Sequence, residues 1–189
     1  NWIVVAPVRA VIHKINPQIS KTEPIFLERG REFDLTQLQE ELIHFAYKRT
    51  DLVEKRGEFA VRGGILDIFP SDQDHPIRVD FFGDEIEEIS YFSVSDQRST
   101  QSVSLPIKVL PCRELMISDE IRNRARDCSK KIESELLNKV ADGLQPEGME
   151  SLIPLLVDEL KLLSDFLPKN LEAIFIEDRK STRLNSSHT

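Results

Sequence analysis

The chain has 189 residues, of which 40% are hydrophobic and 31% charged, with a net charge of −8. This is the composition of a globular chain that buries a core, neither disordered as a whole nor membrane-embedded. The longest apolar runs, Leu152–Val157 and Ile174–Ile176, fall far short of the roughly 20 residues that span a bilayer. An acidic chain also argues against autonomous DNA binding, because a DNA-holding surface displaces counterions with a basic face.

Asn1–Ala10 lacks the order of a secretory signal, which predicts a cytoplasmic protein with no membrane partner. The chain opens on Asn rather than Met and enters a strand-like run, Trp2–Ala6, at once, as expected of a piece cut inside a domain. Val8–Ile15 reads as a short helix and Pro17–Pro24 as a linker. Residues 1–24 are therefore expected to be the end of a preceding α/β domain and its linker.

Asp34 is a candidate N-cap, with Gln37 at the reciprocal capping-box position. Leu35, Leu38, Leu42, Phe45 and Ala46 recur at helical spacing, so one face of Leu35–Tyr47 should be buried. Four strands follow, Glu58–Arg62, Ile65–Phe69, Ile77–Phe82 and Glu85–Phe92. Gly63-Gly64 and Gly83-Asp84 are suited to tight hairpins, and Pro70–Pro76 forms a loop. The expected fold class is α+β: an antiparallel sheet of hairpins backed by a helix and flanked by incomplete α/β segments.

Ser118 starts a predicted helix running to about Ala141, with the stripe Ile121, Ala125, Cys128, Ile132, Leu136 and Val140, and Gly143 ends it. Gly148–Leu167 is apolar and broken by Pro154, with a helix expected on its far side, and Ala173–Ile176 reads as a final strand. Asp178–His188 (DRKSTRLNSSH) has no periodicity, which by itself reads as a disordered terminus, but it resembles the translation of a common short-read sequencing adapter, so 178–189 is expected to be an artefact. Without it the chain carries 32 acidic and 22 basic residues, a net charge of −10.

No glycine loop followed by Lys and Ser or Thr, no nucleophile elbow and no His-Glu-x-x-His motif occurs, and the four histidines are scattered. Cys112 and Cys128 lack zinc-site spacing and read as reduced thiols. No catalytic residue, cofactor or metal is expected here. Strand alternation places Phe59, Val61, Ile77, Val79 and Phe81 on a core face and Ala60, Arg62, Arg78, Asp80 and Phe82 on the other. Arg beside an aromatic residue is a common interface composition. Spacing alone leaves a second reading open, and favours it: solvated charges paired across strands. Arg62-Gly63-Gly64 is a turn rather than an RNA-binding repeat.

Arg56–Pro70 (RGEFAVRGGILDIFP), Ile77–Glu85 (IRVDFFGDE) and Phe92–Arg98 (FSVSDQR) resemble the module shared by transcription-repair coupling factors and the excinuclease component UvrB. Glu58-Phe59-Ala60, Gly64-Ile65 and Gly148-Met149-Glu150 stand closer to the coupling-factor branch. The resemblance implies that 25–110 is an interaction domain for the excinuclease component UvrA, and that 111–177 begins the next α/β segment. It implies protein contacts from Arg49, Arg62, Arg78 and Asp80, with Phe82 adding apolar area. Ala60 departs from the UvrB pattern, which has Arg there. ATP with magnesium, RNA polymerase and double-stranded DNA are implied for regions outside this piece. The alternatives are a piece of UvrB and a purely structural domain.

Overall fold

The computed structural model describes residues 3–168, 170, 172 and 174. Helix α1 (Val8–Ile12) leads into strand β1 (Lys14–Ile15). Asn16 then caps a 3₁₀ helix, Pro17–Lys21, by accepting from the Gln18 amide, so the expected linker is partly ordered by its own side chain. The run expected as a strand at Trp2–Ala6 forms none over its described residues. Ile3 and Val5 are exposed, and no described strand pairs with them.

Strand β2 (Ile25–Leu27) precedes helix α2 (Leu35–His44). Asp34 caps α2, its carboxylate accepting from the amides of Thr36 at 2.7 Å and Gln37 at 3.1 Å. The helix ends three residues before the expected Tyr47, because Ala46 turns to a positive φ of 65°.

The main sheet follows: β3 (Lys48–Arg49), β4 (Glu58–Arg62), β5 (Ile65–Ile68), β6 (Ile77–Phe82), β7 (Glu85–Phe92) and β8 (Ser99–Ser102). Its spatial order is the order of the chain, with β3 parallel to β4 and every other pair antiparallel. Gly63 carries a positive φ of 61° at the first tight turn. Gly64 lies so close to β6 that a β-carbon there would sit 3.0 Å from the Phe81 carbonyl oxygen. Only a residue without a side chain lets the backbones approach so far.

Strand β9 (Ile107–Val109) returns to pair with β2. The principal core joins Ile25, Leu27, Ile107 and Val109 of this ribbon to Leu38 and Leu42 of α2. It also takes Phe59, Leu66, Ile68, Ile77, Val79, Ile86 and Ile89 from the sheet. Each such side chain contributes about 1.5–3 kcal/mol on burial. Helix and ribbon therefore cover one face of the sheet and leave the other to different partners.

The long helix expected over 118–141 is two helices, α3 (Asp119–Ser129) and α4 (Glu135–Ala141). Ser134 caps the second by accepting from the Leu137 amide at 3.4 Å, while the amides of Lys131 and Ile132 turn back to the Cys128 carbonyl. The break changes the phase of the stripe. Leu137, Val140 and Ala141 are buried, whereas Ile132 is 44% exposed. Gly143 ends α4 as expected, with the amides of Gly143 and Leu144 bonded back to Val140 and Lys139.

Pro154 sits in the first turn of α5 (Ile153–Leu156), where its missing N–H costs nothing, rather than ahead of a longer helix. These helices share a second core with Leu115 and Met149. The last strand among the described residues, β10 (Lys161–Leu162), pairs with β1. Of the strand expected at Ala173–Ile176 only Ile174 is described, and it is exposed and in no strand; the artefactual tail expected at 178–189 lies outside the described residues. Among the described residues no helix is long and apolar enough to cross a membrane.

Candidate protein-binding face

The outer face of the sheet is built in rows, because residues opposite one another across a ladder share a face. One row runs Ala60, Asp67, Arg78, Ser90 and Ser102; the next runs Arg62, Ile65, Asp80 and Glu88. A carboxylate in the middle of the sheet is thereby set beside two arginines. Asp67 has a side chain only 1% exposed, a position tolerated for a charge only when it is paired.

The pairing is close to complete. Arg78 donates from Nε to Asp67 Oδ1 at 2.7 Å and from Nη2 to Oδ2 at 2.9 Å, and Arg62 Nη2 donates to Oδ2 at 2.5 Å. Arg78 Nη1 donates to the Gln97 carbonyl at 3.2 Å, and its guanidinium lies 5.1 Å from the centre of the Phe92 ring. The hydrogen bond to Asp67 is the main cause that raises the Arg78 pKa further above its ordinary value. The side chain of Arg78 is 16% exposed and that of Arg62 is 48% exposed. Arg78 is thus the keystone of the triad, and Arg62 is its accessible member.

Asp80 stands opposite Glu88, and among the described residues no hydrogen bond or ion pair reaches its carboxylate. Burial raises its pKa above the usual carboxylate range, with Glu88, Asp67 and Glu87 adding to the rise and Arg78 opposing it. Phe82 continues the strand past an irregularity at Asp80/Phe81 and is 80% exposed beside the Gly83-Asp84 turn. Arg49 lies on the short edge strand β3 in register with Phe59, an inner-face position, so it stands apart from the triad.

The structure brings Arg62 and Arg78 together, places Asp80 and Phe82 near them at the hairpin end, and leaves Arg49 at the edge. The cross-strand pairing expected among the charges runs through Asp67 and not Asp80. Ala60 is not a member of an open face: it is buried with Val53, Phe69 and Phe92 in a small outer cluster. Asp67 and Gln97 join the face without having been singled out by the strand pattern. The signal for Asp67 is a lone charge inside the apolar run Ile65–Phe69, placed across from Ala60 by a two-residue turn after Arg62.

The cysteines offer no chemistry to this face. Burial pushes the Cys112 thiol up to about 11, so it stays protonated at neutral pH. Cys128 is free and half-buried, its sulfur 3.9 Å from the Leu155 carbonyl oxygen. Among the described residues no group of three or more His, Cys, Asp or Glu side chains converges as a metal site.

The UvrB interaction domain family model matches residues 25–115, a span that contains every residue of this face. The transcription-repair-coupling factor of Mycobacterium tuberculosis is 39% identical over 190 residues, covering 94% of this chain. That of Bacillus subtilis is 36% identical over 71% of the chain, and the UvrABC system protein B of Clostridium botulinum is 35% identical over 74%. The chain spans only 15%, 11% and 21% of the length of these three relatives. The UvrB interaction domain family model thus lies over the whole face, and relatives of both kinds, transcription-repair-coupling factors and UvrABC system protein B, match around it.

Proposed function

We propose that the outer sheet face is a docking surface for the excinuclease component UvrA, carried by a transcription-repair coupling factor. The observation that carries this reading is the combination of a half-exposed Arg62, held by Asp67, with a Phe82 that is 80% exposed at the same end of the sheet. An anchored arginine beside an uncovered aromatic ring supplies charge and apolar area at low entropic cost, as interface hot spots do. Arg78 and Asp80 complete the polar surface, and Arg49 reaches a partner only along the sheet edge. The acidic net charge of −8 fits a protein partner better than a nucleic acid.

The coupling-factor assignment is favoured over UvrB because the match to the Mycobacterium tuberculosis coupling factor runs over 94% of the chain, against 74% for the Clostridium botulinum UvrB protein. In this reading the module recruits a bacterial repair complex in the cytoplasm. ATP and magnesium, RNA polymerase and double-stranded DNA are handled by other parts of the longer protein, which displaces stalled polymerase by translocation.

A structural reading has one observation in its favour: Asp67 and Arg78 are largely buried, so part of the triad holds the sheet together. Binding of the full chain to purified UvrA separates the two. Arg62→Ala and Phe82→Ala, each verified as folded by circular dichroism, should weaken binding by about 1–3 kcal/mol. Native affinity in both variants would leave the face a scaffold.

A further inference from the structure

Gln97, in the turn between β7 and β8, is held in a conformation that costs free energy in two ways. Its φ is 59°, in the left-handed region that residues with a β-carbon rarely adopt, and its Oε1 is buried with no hydrogen-bond partner among the described residues. Such a residue persists where its surroundings over-determine it. Its amide Nε2 donates to the carbonyl oxygens of Val53 at 3.3 Å and Val94 at 2.9 Å, and its backbone amide donates to the Ser93 carbonyl at 2.8 Å. The carbonyl so oriented accepts from Arg78 Nη1.

We propose that Gln97 is a positioning residue for partner recognition, acting through Arg78. Its side chain ties the turn to the loop carrying Val53 and to its own start at Val94, and this aims its carbonyl at one edge of the guanidinium while Asp67 takes the other. A guanidinium has five N–H groups. Three are engaged by Asp67 and Gln97, and among the described residues the other two have no acceptor. The plane in which those two are offered to an acceptor oxygen on the partner is set by Gln97. The inference rests on the docking role proposed above.

Gln97→Gly tests it, because glycine takes a positive φ without steric cost and so keeps the backbone of the turn while losing the amide tether. In the full chain, affinity for UvrA should fall on the order of tenfold. In an Arg78→Lys background, which keeps a cation beside Asp67 but cannot make the planar set of bonds, Gln97→Gly should add no further loss. That coupling separates positioning from general damage. Gln97→Asn, which retains an amide and tolerates the left-handed region, gives a smaller loss and serves if the glycine variant does not fold. Native affinity in Gln97→Gly alongside weakened binding in Arg78→Lys overturns the role of Gln97 alone, as does the same loss in both backgrounds. Native affinity in Gln97→Gly, Arg78→Lys, Arg62→Ala and Phe82→Ala together overturns the docking reading as well.

Discussion

The two faces of the six-stranded sheet are made by the same strands, residue by alternate residue, yet they hold themselves together by different physics. On the inner face Phe59, Leu66, Ile68, Ile77, Val79 and Ile89 are buried under α2 and the β2–β9 ribbon, and apolar burial organises everything. On the outer face a buried carboxylate, two arginines and a small cluster of Val53, Ala60, Phe69 and Phe92 do the organising. Apolar packing has no directional preference, whereas an ion triad fixes the angle at which each guanidinium stands. The inner face thus supplies stability and the outer face supplies orientation, which is what the proposed docking role needs.

That division can be broken first where it is strongest. Phe59→Ala on the inner face should cost about 3–5 kcal/mol of stability, read from the midpoint of urea unfolding at constant slope. A cost below about 1 kcal/mol would mean the inner core is not the source of stability. Asp67→Asn attacks the outer face at its centre: it leaves Arg78 largely buried without its counter-charge, and the expected cost is about 3 kcal/mol. An unchanged unfolding midpoint in that variant would show the triad to be dispensable for the fold.

Arg62→Ala sharpens the contrast, since its side chain is 48% exposed and its removal should change stability by less than about 1 kcal/mol while binding falls. Equal losses of stability and binding would erase the distinction between the faces. The smallest effect belongs to Asp80. Its folded pKa is raised by burial, so the folded state prefers the protonated acid, and ionisation penalises folding at neutral pH. The penalty is full above the folded pKa and disappears as pH falls below the ordinary carboxylate value. Asp80→Asn should therefore stabilise the chain slightly at pH 7, with the gain fading on acidification. A variant less stable than native at pH 7 would reverse the sign and point to an unrecognised partner for that carboxylate.

The central strands and their turns are legible in the sequence because each signal is local. Alternation over Glu58–Arg62 and Ile77–Phe82, and Gly63 and Gly83 at the turns, depend on neighbouring residues alone. The Asp34 cap is legible for the same reason. Other features depend on contacts distant in sequence. The short strands β2 and β9 pair across some eighty residues, and β1 pairs with β10 across nearly the whole described chain. The break between α3 and α4 also escapes the periodic stripe, because Ser134 and the packing of Leu137 prevail over helical continuity.

The candidate face divides along the same line. The residue types at Arg62, Arg78, Asp80 and Phe82, and their alternation onto one side, were determined by sequence, since a strand's period of two needs no knowledge of the fold. The family resemblance, carried by the continuous run Arg56–Pro70, was determined there as well. Only the tertiary structure decided that Asp67 binds both arginines, that Arg78 is the buried member and Arg62 the accessible one, and that the Gln97 carbonyl accepts from Arg78. Register and burial set those roles. Both arise when β4, β5 and β6 align and the turn at Ser93–Arg98 folds back onto them, so the charges alone do not reveal which one is left accessible.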